Sequence, residues 1–574
     1  MSKITKPDFK RIREEIGNNY AQKSLPTNRF HEEDNNSHLG NYFETRNEFE
    51  HDVDRIIYSK SFRRLQHKAQ VYSNKKGDHY RTRLTHTLEV AQIAKGISRN
   101  LNLNVPLTEA IALGHDIGHT PFGHAGEQVL DEIMRGKDDL GGKLHYSIDF
   151  GGFKHNFNSI NILEKVEEKN MGTGLNLTWQ TLDGILKHTA IIKKDKQWNL
   201  KRFVRDYSNY KSFIDYDYYK TTPIFTFPLT LEGQIVKISD EIAQREHDLD
   251  DGLRDESLSL NLNQLSDKIN EFIKEMDSKF NDETEGYFLF NSLKKQILSL
   301  KPINTELKWN KLISIIISYF IRDVTETSLI NICSKTPYQI LRYNTLSHDY
   351  ENLYDNAGSY DKKFIILELI SFSECGKFLN ESIEEFIENK IVGSYNVNRF
   401  DGKSKYILRQ LFKAYYENPK QMTKKQIENL KRNFDNIIEY YNLVMIIMLN
   451  TNNGIKIFNE DSNIIWVEKT NINFDEILKR LQSFFKLDGD FKKLLNETIN
   501  EFGNTEFELL NYLNELTYEE IIYLENCEHY NKLLLLSMKF CLDLHYCYLS
   551  VICNYISQMT DDYAMKEYQE LYLN

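Results

Sequence analysis

The chain has 574 residues, 40% of them hydrophobic, with only 26 glycines and 9 prolines. Those counts lie below the usual shares of roughly 7% and 5%, so the composition favours long helices over a turn-rich β fold. A formal charge of -12 excludes a wholesale cationic coat for nucleic acid while leaving room for a local basic pocket. The length calls for several compact units or one large helical body, because single cores stop growing at about 250 to 300 residues. Six cysteines without any CxxC spacing indicate neither a disulfide framework nor a zinc knuckle, which fits a reducing cytoplasm. The N-terminus lacks the apolar stretch of a signal peptide, and the strongest apolar runs, such as "LISIIISYFI" at 312–321, are too short to span a bilayer and read as buried helix.

In chain order, residues 1 to about 50 are polar and irregular, and the ordered body is expected to begin near Phe49. A loop, "SNKKGDHYR" at 73–81, precedes "TRLTHTLEVAQIAKGISRNL", whose Leu84, Leu88, Val90, Ala91, Ile93, Ala94 and Ile97 largely share one helical face, placing His86 in the first turns. In "VPLTEAIALGHDIGHTPFGHAGEQVLDEIMRG", Pro106 suits a helix start, Gly114 and Gly118 loosen its end and Pro121 permits a restart. His115 and Asp116 then close one helix, and His124 and Glu127 sit in the next. Further helices are expected in "GGFKHNFNSINILEKVEEKN" and "WQTLDGILKHTA", an inserted loop over the tyrosine-rich 193–228, and a long helix over 230–253 with Ile235, Ile238, Ile242 and Leu249 on its apolar side. Beyond 254 the chain reads as helix after helix without an internal repeat.

Three constellations carry chemistry. His86, His115, Asp116 and Asp240 offer the imidazoles and carboxylates that suit a first-row divalent ion such as Mn, Fe, Co or Ni. Adjacent helical residues diverge by about 100°, so His115 and Asp116 can share an ion only beside a helix end, which the glycines supply. Any one of these histidines alone is better read as a core or loop histidine; the combination is what points to a metal. His124 and Glu127, three apart, lie on one side of a helix, where a carboxylate-held imidazole can move a proton near neutral pH. A solvent-exposed pair is the bland alternative. The third group is cationic and polar: Arg81, Arg83, Lys187, His188, Lys237 and Gln70, of which an arginine fork matches phosphate oxygens and a glutamine reads a sugar or base. Such charges are usually solvated, and only those flanking the metal residues merit a functional reading.

In this order and spacing, "DRIIYSKSFRRLQHKAQV", "RTRLTHTLEVAQIA", "ALGHDIGHTPFGHAGE", "GGFKHN", "GILKHT", "VKISDEIAQREHDLDD" and "YISQMTDDYAMKEY" resemble the bacterial dGTP triphosphohydrolases of the HD superfamily. The match is dense over 50–250 and returns at about 550–570. The resemblance implies an all-α fold: a polar segment 1–48, an HD phosphohydrolase core over 49–253, and a helical region 254–574 whose last part returns to the active site. It implies hydrolysis of a deoxynucleoside triphosphate, with dGTP preferred, at the α-phosphorus to deoxynucleoside and tripolyphosphate. By position, His86, His115, Asp116 and Asp240 correspond to metal ligands for a divalent ion, Mn or Mg foremost and Co, Fe or Ni as alternatives. His124 and Glu127 correspond to the catalytic pair, Arg83 and Lys237 to triphosphate contacts, Gln70 and Asp248 to readers of the 3'-hydroxyl, and His155 and Asn156 to a pair lining the site. A homo-oligomer, up to a hexamer, responding to dNTPs or single-stranded DNA, follows from the same resemblance, and the cysteine usage and short apolar runs add the expectation of a cytoplasmic protein bound to no membrane.

The chain departs from that pattern at Gln244, where tyrosine is usual, and at Asn158 and Asn161, where Gln and Arg are common, which bears on substrate pose and base preference. Two other readings stay open: an HD phosphodiesterase or nucleotidase with different products, and a non-catalytic nucleotide-sensing subunit.

Overall fold

A computed structural model describes residues 6–23, 46–70, 81–144, 149–169, 172–190, 192–193, 196–197, 227–254, 258, 262–281, 283–299, 305–335, 341–343, 363–365, 367–451, 521 and 529–573. The fold is all-α. Three two-stranded sheets of two- or three-residue strands are the named strands among the described residues. The chain divides into two compact units: Met1–Gly123, His155–Lys196 and Tyr207–Lys403 make the first, and His124–Lys154, Gln197–Asp206 and Ser404–Asn574 the second. No described helix is long and apolar enough to cross a membrane. Cys333, Cys375, Cys547 and Cys553 are free thiols.

Where the polar N-terminus predicts irregular chain, a helix, α1, runs Lys6–Tyr20 and buries Ile16 and Tyr20. Long-range contacts supply what local pattern does not: Gln22 N–H donates to Glu232 Oε1 at 3.1 Å, and Asn104 Nδ2–H donates to Gln22 O at 3.1 Å. Helix α2 (Glu48–Ile57) starts at a capping box made by Asn47 and Glu50, close to the expected start of the body. A short helix, α3 (Lys60–Arg64), leads through a 3-10 turn to Ala69, which pairs with Thr82 in an isolated bridge.

Thr82 then caps α4 (Arg83–Leu101), its hydroxyl accepting from Thr85 N–H, an arrangement whose loss costs about 1 kcal/mol. Helix α5 (Val105–Gly114) has Asn104 as its cap and Pro106 in its first turn, as the sequence pattern predicts, and ends at Gly114. After the turn that follows, α6 (Gly123–Met134) begins; Phe122 and Gly123 both adopt left-handed backbone, φ 60° and 59°. Helix α7 (His155–Asn161) continues into a π turn, and α8 (Trp179–Lys187) buries Trp179, Leu182, Ile185 and Leu186. Helix α9 (Leu231–Arg254) is the axis of the unit: Ile235, Val236, Ile242 and Ala243 are buried, and the helix packs against α4, α5 and α8. Truncating such an isoleucine to alanine costs about 2–5 kcal/mol. Helices α10 (Leu262–Lys279), α11 (Tyr287–Leu298), α12 (Thr305–Cys333) and α13 (Glu374–Ile387) follow; the apolar 312–321 run is helical within α12 and buries Leu312, Ile313, Ile316, Tyr319 and Phe320, while Ser314 and Ser318 are exposed. Most of 73–81 and of 193–228 lies outside the described residues.

Helix α14 (Tyr395–Glu417) carries the chain into the second unit, with α15 (Lys424–Thr451), α16 (His529–Ser557) and α17 (Asp561–Tyr572). Here α15 packs against α16, and Arg409 bridges Glu132 at 2.7 Å and Asp138 at 2.5 Å. Tyr415 donates to Glu567 at 2.8 Å, fixing α17 on α14.

Candidate metal centre

The centre is built where α4, the end of α5 and the middle of α9 meet. His86 comes from the second turn of α4, His115 and Asp116 from the turn leaving α5, and Asp240 from α9. His86 Nε2 lies 3.0 Å from Asp240 Oδ1 and 4.0 Å from Asp116 Oδ2; His115 Nε2 lies 3.6 Å from Asp240 Oδ1 and 3.5 Å from Asp116 Oδ1. Donors at about 2.1 Å around an ion stand about 3 Å apart at right angles and about 4 Å apart when opposed. His115 Nδ1–H donates to Ala112 O at 2.7 Å, which leaves Nε2 as the atom facing the cluster, and that buried atom has no hydrogen-bond partner among the described residues. Two imidazoles and two carboxylates with these spacings fit a divalent ion. Asp240, with 17% of its side chain exposed against 5% or less for the other three, marks the open side.

Electrostatics hold the four together. Burial disfavours charge on His115, but Asp116 and Asp240 outweigh it and raise the imidazole to about 9. Burial likewise opposes the charges of Asp116 and Asp240, yet the histidines around them, with Arg83 beside Asp116, keep both carboxyls well below the usual range. Both carboxylates therefore stay ionised, as ligands of a cation must.

Glycine is explained by space as much as by backbone freedom. A Cβ on Gly118 would run into His155 O and the Ser159 backbone, so only glycine lets the turn lie on α7. At Gly123 positive φ combines with crowding, since a Cβ would sit 2.9 Å from Arg83 Nη2. Asn158 holds the same turn, donating to Gly118 O at 2.7 Å, so this departure from the family pattern has a positioning role.

Arg83 is almost wholly buried; its Nη1–H donates to Asp116 Oδ2 at 2.7 Å, while Nε and Nη2 have no hydrogen-bond partner among the described residues. Buried guanidinium donors left unpaired suit an anion. The chain before α4 brings Gln70 to the same side: a Cβ on Gly123 would be 3.3 Å from Gln70 O, and the Gln70 amide oxygen is also unpaired. Lys237, one turn before Asp240, instead pairs with Glu368 at 2.5 Å. Asp248 is buried, its Oδ1 has no hydrogen-bond partner among the described residues, and burial pushes its carboxyl up to about 7.

His155 stacks on His119, centroids 3.9 Å apart, and its Nε2 lies 3.2 Å from His188 Nε2. Asn156 is engaged by protein at both ends of its amide, donating to Leu186 O at 2.8 Å and accepting from Thr189 at 3.0 Å, which ties α7 to the end of α8. Two cations grouped with phosphate recognition in the sequence are committed elsewhere. Arg81 bridges Glu89, Asp250 and Asp251, and Lys187 is buried against Asp183 at 2.5 Å.

His124 and Glu127 belong to the second unit, in the first turns of α6, with His124 exposed and Glu127 3.4 Å from Lys154. The boundary between units falls between Gly123 and His124.

Sequence reasoning missed three residues. His119 donates from Nε2 to Asp116 Oδ1 at 3.1 Å, and burial, then Arg83 and His155, hold it well below its ordinary range and neutral. His247 meets His86 through Nδ1 atoms 2.8 Å apart and pairs with Glu89 through Nε2. The signals were present: His119 stands three residues after Asp116, and Glu89 three after His86 on one helical face.

An HD domain model matches residues 83–244, the segment that contributes all four donors. The fold and site thus define an HD-domain protein. A deoxyguanosinetriphosphate triphosphohydrolase-like protein of Geobacter metallireducens is 36% identical over 379 residues, covering 66% of this chain and 79% of the relative. One of Geobacter sulfurreducens is 33% identical over 390 residues, covering 68% and 82%. One of Caldanaerobacter subterraneus subsp. tengcongensis reaches 48% over 209 residues, 36% of this chain and 47% of the relative. The chain belongs to the family of deoxyguanosinetriphosphate triphosphohydrolase-like proteins.

Proposed function

We propose that the protein is a metal-dependent deoxynucleoside triphosphate triphosphohydrolase with a preference for dGTP, acting in the cytoplasm as a homo-oligomer. The observation that carries this reading is the convergence of His86, His115, Asp116 and Asp240 beside the unpaired, buried guanidinium donors of Arg83. A bound Mn or Mg ion would neutralise phosphate charge and polarise a phosphoryl oxygen.

In the proposed reaction water attacks the α-phosphorus, the bond from that phosphorus to the 5'-oxygen breaks, and deoxynucleoside and tripolyphosphate leave. Arg83 serves a phosphate oxygen through Nε and Nη2. His124 gives the 5'-oxygen its proton, and Glu127 holds that imidazole in place. Gln70 and Asp248 are assigned to the 3'-hydroxyl; a buried carboxyl with an unpaired oxygen is suited to a sugar hydroxyl. His155 and Asn156 are assigned to the wall of the site, Asn156 through its hold on α8. Lys237 is assigned to the triphosphate and must leave Glu368 to reach it. Residues 49–253 are taken as the hydrolase core and 254–574 as the region for assembly and control by dNTPs or single-stranded DNA.

The test is anion-exchange analysis of products after incubating the Mn-loaded protein with each of the four dNTPs and with GTP, beside His124→Ala. Deoxynucleoside and tripolyphosphate, fastest from dGTP and lost in the variant, are expected. Orthophosphate or a nucleoside monophosphate as product would replace the reading with a different HD hydrolase. No turnover with mixed dNTPs and single-stranded DNA added would replace it with a sensor.

A further inference from the structure

Glu89 and His247 touch no proposed substrate group, yet they stand in line behind one metal-site histidine. We propose that they form an outer hydrogen-bond chain that fixes the tautomer of His86 and thereby sets the affinity of the centre for its ion. Both are positioning residues, and the inference rests on the reading of His86, His115, Asp116 and Asp240 as a metal site.

The Nδ1 atoms of His86 and His247 lie 2.8 Å apart in a buried setting, so one must donate and the other accept. On the far side of its ring, His247 Nε2 faces the Glu89 carboxylate, which only accepts. His247 therefore carries its proton on Nε2, its Nδ1 is the acceptor, and His86 must donate from Nδ1. That leaves the lone pair of His86 on Nε2, the atom 3.0 Å from Asp240 Oδ1 and turned to the donor cluster. Glu89 is held in turn by Arg81, whose Nε–H donates to it at 3.2 Å.

The two histidines of the centre are thus oriented by different means. His115 donates from Nδ1 to a backbone carbonyl, that of Ala112, which no substitution removes. His86 depends on side chains from two helices, Glu89 one turn along its own and His247 across on α9. A carboxylate at the end of such a chain also makes the ligating nitrogen more basic, and loss of outer partners of this kind typically weakens a metal about 10- to 100-fold.

The experiment is titration of the full-length chain with Mn(II), followed by EPR of the free ion, together with melting of each EDTA-treated protein. Wild type should bind tightly and His86→Ala should not. Glu89→Gln, altered at a side chain that is 40% exposed, should weaken binding about 10-fold while melting like wild type without metal. His247→Leu should weaken it by about 10- to 100-fold, and His247→Asn, which restores an acceptor near Nδ1, should fall between. Should His247→Leu not fold, Glu89→Gln and His247→Asn decide. Unchanged affinity in the variants that fold, or losses that only track a lower melting temperature in EDTA, would overturn the chain. Wild type that binds no Mn(II) would instead overturn the metal centre, and the chain with it.

Discussion

Arg81 and Arg83 stand two positions apart and are chemically identical, yet their surroundings give them opposite work. Arg81 is shared among Glu89, Asp250 and Asp251, which keep its charge in place and tie α4 to α9. Arg83 spends one nitrogen on Asp116, and its buried Nε and Nη2 have no hydrogen-bond partner among the described residues. Lysine in its place would keep a positive charge but lose the planar fork. Arg83→Lys is expected to lower kcat/KM for dGTP by about 10- to 100-fold while shifting Mn(II) affinity only a few-fold, because a lysine ammonium can still donate to Asp116 as Arg83 does. Steady-state kinetics with a parallel metal titration check this. At the same scale, the motif residues were legible in the sequence as types and spacings; which cation is free was not, because that depends on acidic partners up to 170 positions away.

Elements are joined here by a few buried polar contacts. Gly118 allows the turn after α5 to lie on α7, where a Cβ would also come within 2.6 Å of Ser159 Oγ. Gly118→Ala should therefore push His115 and Asp116 off register, costing about 1–3 kcal/mol as overpacking does and weakening Mn(II) binding; urea melts and metal titration report the two effects. Glu232 sits at the start of α9 and receives the backbone N–H groups of Gln22 and Asn104, both at 3.1 Å on Oε1. Burial raises its carboxyl to about 7 despite those donors. The folded state thus holds a proton there that the unfolded chain releases in the ordinary carboxylate range. Its stabilising contribution is complete below about pH 4.5 and lost as pH rises through 7, a difference on the order of 3 kcal/mol. Glu232→Gln keeps the accepting oxygen without the charge, so its stability at pH 8 should exceed that of wild type and its pH slope between 5 and 8 should be shallower in thermal melts. Helices α4, α5, α8 and α9 were readable from capping residues and apolar spacing. Helix α1 was not, since its polar sequence is held by Gln22 and Asn104 through partners distant in the chain.

For the molecule as a whole, an ion held by His86, His115, Asp116 and Asp240 would join three separate segments and so cross-link the first unit. An ion that binds only the folded state at 100 times its Kd adds about 2.7 kcal/mol. Calorimetry with Mn(II) against EDTA should show the transition containing the first unit move up by several degrees, and His115→Ala should abolish the shift. If units melt separately, the other transition should stay where it is. The shared stretch from Gly114 to Glu127 reads as one motif, yet the division into units falls inside it, after Gly123. No local signal marks that division, because it depends on what each side packs against rather than on the turn itself.

The sequence by itself determined the helical class, the helix ends around the motif and the set of residues able to hold an ion, since these follow from spacing, caps and side-chain chemistry within short windows. Only the tertiary structure decided that Arg83 keeps two donors without a partner among the described residues, that Lys187 and Lys237 are paired, that His119 and His247 back the centre, and that α1 exists. Each of those outcomes turns on desolvation and on partners brought together from far along the chain, quantities that come into being when the chain folds.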